Sequence, residues 1–449
     1  MKQIRDAYFY KTYFSLFGVV ALQSFLICAV NLADSVMLGQ YGELAMSGVS
    51  LANQIQFFLF FVVNGAGSGL VVLASQYWGK RDPEAIRKVF SAAFTVSLLI
   101  GAAVEIAMLA SPAGVLGLLS DQTQIVAAGA RYIRIVAHSY VIFSVSNVLI
   151  ALLRSVEAVR VGFYTSLLAL AVNITLNYAL IFGHFGFPAL GEEGAAVATL
   201  LSRIAELVYV LIYVFFADRR LRLRPRDFLP HDKAFFRDYL RAGLPLIGSG
   251  GSWGVAMTVQ TAIIGRLGTA AIGANAVASP VFQVVAVLYN SSSSASSVLI
   301  GKTVGENDIP RVKRYTKKLQ IIFLLTGLLS GALLFSLRNV IVGFFGLTPD
   351  TRDLSVTFLT ILAFTVVGSA YEAPALVGIV SGGGDTAFVF RNDLIFMWGI
   401  VLPMSFLSAF VFRWPIPVTF LILKADQILK CFVAVVKVNR YRWIRQLTR

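Results

Sequence analysis

The sequence reads LGQYGELA at residues 38–45 and IGRLGTAA at residues 264–271, which sets the two stretches 226 positions apart. At the same offset Asp82 matches Asp308, and other positions between these landmarks match as well. One ungapped register that holds over about fifty residues indicates an internal duplication. We therefore expect the chain to contain two copies of one structural unit.

The composition places both copies in a lipid bilayer. Of 449 residues, 57% are hydrophobic and only 14% are charged, and the mean hydropathy is +0.77. A soluble domain carries about a quarter charged residues. The net charge of +15 is no sign of nucleic-acid binding, because Lys and Arg gather in short loops between apolar runs. Cys28 and Cys431 lie in apolar runs, which excludes a disulfide framework and a cysteine metal site.

Twelve apolar segments are long enough to cross a membrane, since a spanning helix needs about 20 residues. The weakest boundary is the split near Arg413, where a tight external turn is expected. The predicted segments are 13–38, 48–77, 89–111, 125–153, 160–183, 194–217, 239–266, 272–301, 317–337, 353–381, 387–412 and 415–437.

Basic residues predict the orientation of these segments. Lys and Arg concentrate in alternate loops, at residues 80–88, 219–226, 302–318 and 440–449. Loops on the other side carry little basic charge beyond Arg338, Arg352 and Arg413. The side of the membrane with more Lys and Arg is the cytoplasmic side. We therefore expect a multi-pass protein of the cell inner (plasma) membrane with both termini in the cytoplasm.

The number of segments in each copy determines how the copies are related. Six helices separate corresponding positions, and because six is even, both copies have the same orientation. The fold class predicted is an all-α polytopic membrane protein with twelve transmembrane helices in two pseudo-two-fold-related six-helix bundles. The lobes would be residues 1–225 and 226–449, joined by a basic cytoplasmic link at 218–233. We expect a monomer in which one lobe rocks against the other to alternate access.

Five stretches resemble the multidrug and toxic compound extrusion (MATE) transporters. They are NLADSVMLG at 31–39, QYWGKRD at 76–82, NITLN at 173–177, GAAVAT at 194–199 and GIVSGGGDT at 378–386. The resemblance covers essentially the whole chain. It implies export of small amphipathic, often cationic compounds, driven by inward flow of sodium ions or protons. Beyond that coupling ion it implies no cofactor.

Polar residues of the first lobe form a candidate coupling site. Asp34 is the only acid in the first span, and a charged group at mid-membrane costs about 2.5–3.5 kcal/mol on insertion scales. Asn173 and Asn177 share one helix face, and Thr199 lies at similar depth. Carboxylate, amide and hydroxyl oxygens are hard ligands that suit sodium, and the carboxylate could instead carry a proton. The alternatives are solvation near the outer end of its helix for Asp34, interhelical hydrogen bonding for the two asparagines and a bond to its own helix for Thr199.

Matching positions in the MATE family form such a cation or proton site, which the resemblance carries to these four residues. The second lobe departs from the pattern, because Asp34 is matched at offset 226 by Gln260, which cannot titrate. Glu372, in the tenth span, could replace the missing carboxylate, bind cationic substrate or pair with a base.

Three further polar residues are candidates for the substrate cavity. Asn64 and Asn290 recur at offset 226, so they could line a cavity, bend a helix or join helices. His138 lies within the fourth span, where a packing role competes with a role in proton transfer.

Other functions fit the sequence less well. A lipid-linked precursor flippase of the same broad superfamily would need a more basic cavity, whereas the basic residues inside spans are chiefly Arg131, Arg134, Arg203 and Arg266, near span ends. A membrane-embedded enzyme would need clustered Asp, Glu, His or Cys within spans. A channel would need a selectivity filter.

Overall fold

The structure is a computed structural model that describes residues 2–229 and 232–449, with side chains from residue 7 onward. Residues 230 and 231 of the predicted link therefore lie outside the described part of the chain. Within that part the regular structure is helical and contains no β-strand. The long helices are α1 Lys2–Tyr41, α2 Glu43–Gly79, α3 Pro83–Ala110, α4 Thr123–Val136 with Ser139–Ser155, α5 Arg160–Phe182, α6 Glu192–Ala217, α7 Lys233–Gly265, α8 Thr269–Gly305, α9 Ile309–Gly343, α10 Pro349–Val380, α11 Thr386–Val411 and α12 Ile416–Leu423 with Asp426–Asn439.

Each of these helices coincides with one predicted span. Nine of them, in the residues described, are long and apolar enough to cross a membrane, and α4 makes ten if its two segments, bent by 55°, count as one span. Gly, Ser and Thr lower the hydropathy of α7, and a break at Lys424 divides α12 into two short segments. Helix α7 is therefore not apolar enough to be counted as a span, and the segments of α12 are too short, although both helices lie where a span is expected.

The backbone repeats at the offset seen in the sequence. The Asp82 side chain accepts a hydrogen bond of 2.9 Å from the backbone N–H three residues on, at the start of α3. The Asp308 side chain makes the same bond at 3.0 Å at the start of α9. Arg81 and Asn307, which precede them, have matching φ angles of 60° and 57°. Both halves thus begin their third helix with the same side-chain cap.

The chain divides into two compact units that do not coincide with its halves. The N-terminal unit is Leu22–Gly251, and the C-terminal unit is Met1–Ala21 together with Ser252–Arg449. In the C-terminal unit the Tyr13 hydroxyl lies 2.6 Å from Ser292 Oγ, which attaches the start of α1 to α8. The lobe boundary at 225/226 stays a prediction, because a division by contacts does not test where a repeat begins.

Small residues let the first part of α7 approach α2 closely within the N-terminal unit. A Cβ atom added at Gly250 would collide with the carbonyl oxygen of Phe61, and one at Gly65 would collide with that of Leu246. Close backbone approach at glycine is typical of helix pairs in membranes, where packing rather than hydrophobicity drives association.

Each unit has an apolar core of its own. Leu59, Ile133 and Tyr140 are buried in the N-terminal unit. In the C-terminal unit the rings of Phe358 and Phe420 stack with centroids 3.8 Å apart. The second ring belongs to the short first segment of α12, so this contact helps to position the break at Lys424.

Gly250→Ala should lower the stability of the protein, because the new methyl group has no room against the Phe61 carbonyl. Overpacking costs about 1–3 kcal/mol. Gly251→Ala is the matched control, since its methyl group would meet Val62 Cγ2 at an ordinary 3.5 Å. Thermal unfolding in detergent measures both variants. Equal unfolding temperatures would contradict the close packing of α2 and α7.

Candidate functional site

A polar pocket lies within the N-terminal unit, between α1, α2, α4, α5 and α6. Most of the residues that line it carry polar side chains. The lining residues are Ile27, Val30, Asn31, Asp34, Asn53, Gln56, Tyr132, Ser166, Ala169, Asn173, Thr199, Ser202, Arg203 and Glu206.

A chain of hydrogen bonds joins α1 to α5 at this pocket. Asn177 Nδ2 donates to Asp34 Oδ1 and also to Asn173 Oδ1, the latter at 3.1 Å. Both amide side chains are buried. Asn177 Oδ1 has no hydrogen-bond partner in the part of the chain that is described. Because a buried polar atom without a partner is costly, this oxygen remains available to a cation or a water molecule.

Thr199 completes the set on α6. It is buried, and its side chain lies within hydrogen-bond range of the Tyr132 hydroxyl on α4. The structure therefore brings all four residues of the predicted coupling site together. A hydrogen bond between helices joins Asp34 to Asn177, and Thr199 lines the same pocket.

The charges around this pocket sum to a negative value. Arg203 donates to Glu206 at 2.8 Å, and its guanidinium lies over the Phe143 ring at 5.1 Å. With Asp34 ionised, two carboxylates and one guanidinium leave one net negative charge among the charged lining residues. A net negative, partly buried pocket favours a cation.

Sequence reasoning missed several residues that line the same pocket, chiefly Tyr132, Arg203 and Glu206. Arg203 was expected near a span end, but the structure places it within α6 and facing the pocket. Glu206 is an acid inside a predicted span, as Asp34 is, so the same criterion would have found it. Asn53 and Gln56 are uncharged, so their presence in a span would not have marked them as site residues.

The second-lobe counterpart has different chemistry. Gln260 is buried, and its Nε2 contacts Met397 Sδ at 3.5 Å. Its Oε1 accepts from Lys424 Nζ at 3.4 Å. The position that holds a carboxylate in the first lobe is thus joined to an ammonium group in the second.

Glu372 lies beside a buried cluster of charges in the C-terminal unit. Lys430 Nζ is 2.9 Å from Asp393 Oδ1 and 3.6 Å from Asp426 Oδ2. Glu372 lies close enough to interact electrostatically with all three of these charged groups. Lys430 is only 4% exposed. Asp393, Asp426, Lys424 and Lys430 all lie in predicted spans, so a full count of charged residues there would have found them.

The remaining predicted residues lie elsewhere. Asn64 donates to the Phe60 carbonyl at 2.8 Å, and its own oxygen lies 3.5 Å from Asn147 Nδ2. Asn290 is exposed. His138 lies at the bend of α4, half exposed, with Nδ1 3.2 Å from Glu105 Oε1. None of the three lines the pocket around Asp34.

Long apolar helices with buried polar sites in each unit define a polytopic membrane protein. The MatE family model matches residues 20–179 and 253–407 of this chain, one segment in each half. The chain belongs to this family of multidrug and toxic compound extrusion transporters. It is a transporter and not an enzyme.

Curated relatives extend over most of the chain. A probable multidrug resistance protein NorM of Streptococcus pneumoniae (strain ATCC BAA-255 / R6) is 25% identical, covering 88% of this chain and 86% of the relative. A probable multidrug resistance protein NorM of Rhizobium meliloti (strain 1021) is 27% identical, covering 86% and 83%.

Solved structures share the fold at lower identity. A MOP superfamily transporter from Pyrococcus furiosus, whose binding pocket is described as of reverse polarity, has a TM-score of 0.87 at 18% identity. A multidrug resistance MATE family transporter in an outward-facing conformation has a TM-score of 0.86 at 18% identity. Each match covers 96% of this chain and 95% of the other. The predicted all-α fold of twelve transmembrane helices in two bundles is confirmed.

Lys430→Met should destabilise the C-terminal unit strongly, because it leaves Asp393 and Asp426 without their counter-ion. Removing one partner of a buried ion pair costs about 3–5 kcal/mol. Thermal unfolding in detergent measures the loss, and Lys317→Met, at an exposed position of α9, is the control with little change.

A second change tests whether the loss is electrostatic. Adding Asp393→Asn to Lys430→Met removes one of the stranded carboxylates, so part of the stability should return. A double variant no more stable than Lys430→Met would show that Lys430 acts through packing and not through its charge.

Proposed function

We propose that this protein is a secondary active multidrug efflux antiporter. It exports amphipathic, often cationic compounds in exchange for sodium ions or protons. The observation that carries the proposal is the Asp34 carboxylate, hydrogen-bonded to a buried amide in a pocket of net negative charge. The names of the NorM relatives support the substrate class.

The oxygen chemistry of the pocket supports the coupling role. Asp34 presents a carboxylate, and Asn177 Oδ1 is a buried acceptor without a hydrogen-bond partner among the described residues. Such oxygens are ligands that a hard cation prefers. A proton on Asp34 would neutralise the same charge, so sodium and proton coupling both use this carboxylate.

Coupling requires that the ion bind two conformations of the transporter with different affinity, because an equally bound ion shifts no equilibrium. In our proposal, an ion from outside enters the pocket and favours the inward-facing state. Cytoplasmic substrate then binds, and its export accompanies the return. The transporter works as a monomer in the cell inner membrane, with both termini in the cytoplasm, an orientation that the basic loops support.

A lipid-linked precursor flippase is the alternative within the superfamily. The buried Lys424 and Lys430 add basic charge that the sequence analysis had not counted. Lys430 is neutralised by its carboxylate partners, however, which leaves Lys424 as a single cation, and the pocket around Asp34 is net negative. These charges favour the antiporter over transport of a pyrophosphate-linked lipid.

Asp34→Asn should abolish ion-driven transport and leave folding intact, because the amide keeps the size of the side chain but loses its charge. Proteoliposomes are given a sodium gradient or a proton gradient separately, and transport of ethidium, an amphipathic cation, is followed by fluorescence. The gradient that drives the wild type identifies the coupling ion.

Glu105→Gln is the matched control, because Glu105 is also an acid in a transmembrane helix but pairs with His138 outside the pocket. It should transport as the wild type does. Undiminished ethidium transport by Asp34→Asn, under the gradient that drives the wild type, would refute the assigned coupling role.

A further inference from the structure

A second pocket lies wholly within the C-terminal unit, beside Gln260. Residues from α7, α8, α11 and α12 form its wall, and four of them carry polar side chains. The lining residues are Trp253, Met257, Gln260, Phe282, Met397, Leu423, Lys424, Asp426 and Gln427.

Lys424 is the unusual residue of this pocket. Its side chain is 8% exposed, and it lies at the break between the two segments of α12. The ammonium group makes one long hydrogen bond, 3.4 Å to Gln260 Oε1. It also lies 4.9 Å from the centre of the Phe282 ring and 5.8 Å from that of Phe420. Lys424 forms no ion pair within 4.0 Å in the part of the chain that is described.

A buried ammonium without a counter-ion is costly, because ring faces and one amide oxygen replace little of the hydration that it loses. A buried ammonium is usually compensated by carboxylates, as it is at Lys430, six residues further on, which pairs with two of them. The nearest acid to line the pocket, Asp426, is one of those two. Its charge reaches Lys424 only from beyond ion-pair distance. Among the described residues, the pocket therefore provides a cation that no carboxylate contacts directly.

The other groups of the pocket suit an amphipathic anion. Trp253, Met257 and Met397 offer aromatic and thioether surfaces, which adapt to apolar ligands of varied shape. Gln427 Oε1 is buried and has no hydrogen-bond partner among the described residues, so a flip of this amide would place its Nε2 donor towards a ligand oxygen. The enclosed space amounts to about 20 Å³, so it takes a small polar head group, and the apolar part of a ligand would lie at the open side of the pocket.

We propose that this pocket binds the carboxylate head of small amphipathic organic anions, with Lys424 as the counter-ion and Gln260 as the group that orients it. The site is separate from the cation pocket at Asp34 and does not depend on coupling there. It rests on the proposed function only in that the bound anion would be cargo.

The experiment compares three ligands of one shape and different charge. Purified full-length protein in detergent is titrated calorimetrically with 3-phenylpropionate, 3-phenylpropanamide and 3-phenylpropylammonium. The wild type should bind the anion at least tenfold more tightly than the amide, and the ammonium compound more weakly still. Equal affinity for the anion and the amide would overturn the proposal without any variant.

Variants assign the preference to Lys424. Lys424→Met keeps the length of the side chain without its charge, and the preference for the anion should fall by about tenfold or more, whereas Lys424→Arg should retain it. Asp34→Asn, in the other pocket, should leave it unchanged. Retention of the full preference by Lys424→Met would overturn the proposal.

This binding test also separates the two proposals. Loss of ion-driven transport in Asp34→Asn concerns the coupling site alone, and anion selectivity in detergent needs no gradient. If one of the two experiments contradicts its proposal, the other experiment can therefore still be interpreted.

Discussion

A charged or strongly polar side chain inside a membrane has to be satisfied by the protein, because the lipid offers it nothing. This constraint organises the interior of the chain. Asp34 on α1 is bonded to Asn177 on α5, and Lys430 on α12 pairs with Asp393 on α11. In each case the partner lies on another helix, so each polar site also fixes the packing of two helices.

Much of the fold was predictable because its signals are local. Apolar runs of spanning length and the turns between them lie in one stretch of sequence, and all twelve helices form where a span was predicted. The cluster at Asp34 was predictable for a related reason, since a four-residue spacing puts Asn173 and Asn177 on one face and helix direction gives their depth.

The members of the charged cluster in the C-terminal unit can be found by counting charges in the spans, but their pairing could not be predicted, because they are far apart in the sequence. Lys430 and Asp393 are 37 positions apart, and only the packing of α11 and α12 brings them together. The exposure of His138 was equally hidden, since it depends on the 55° bend within α4. Two features cannot be predicted from each span taken separately: which side chains pair between helices, and where a helix breaks or bends.

The two halves share a backbone plan but not a chemistry. Asp82 and Asp308 begin equivalent helices with the same cap, 226 positions apart. At the same offset, a carboxylate bonded to an amide at Asp34 is replaced by the Gln260 amide bonded to an ammonium. Backbone caps persist because each helix start needs them, whereas a buried charge is kept only where a partner or a ligand compensates for its cost. A duplicated fold can therefore carry a cation site in one half and an anion site in the other.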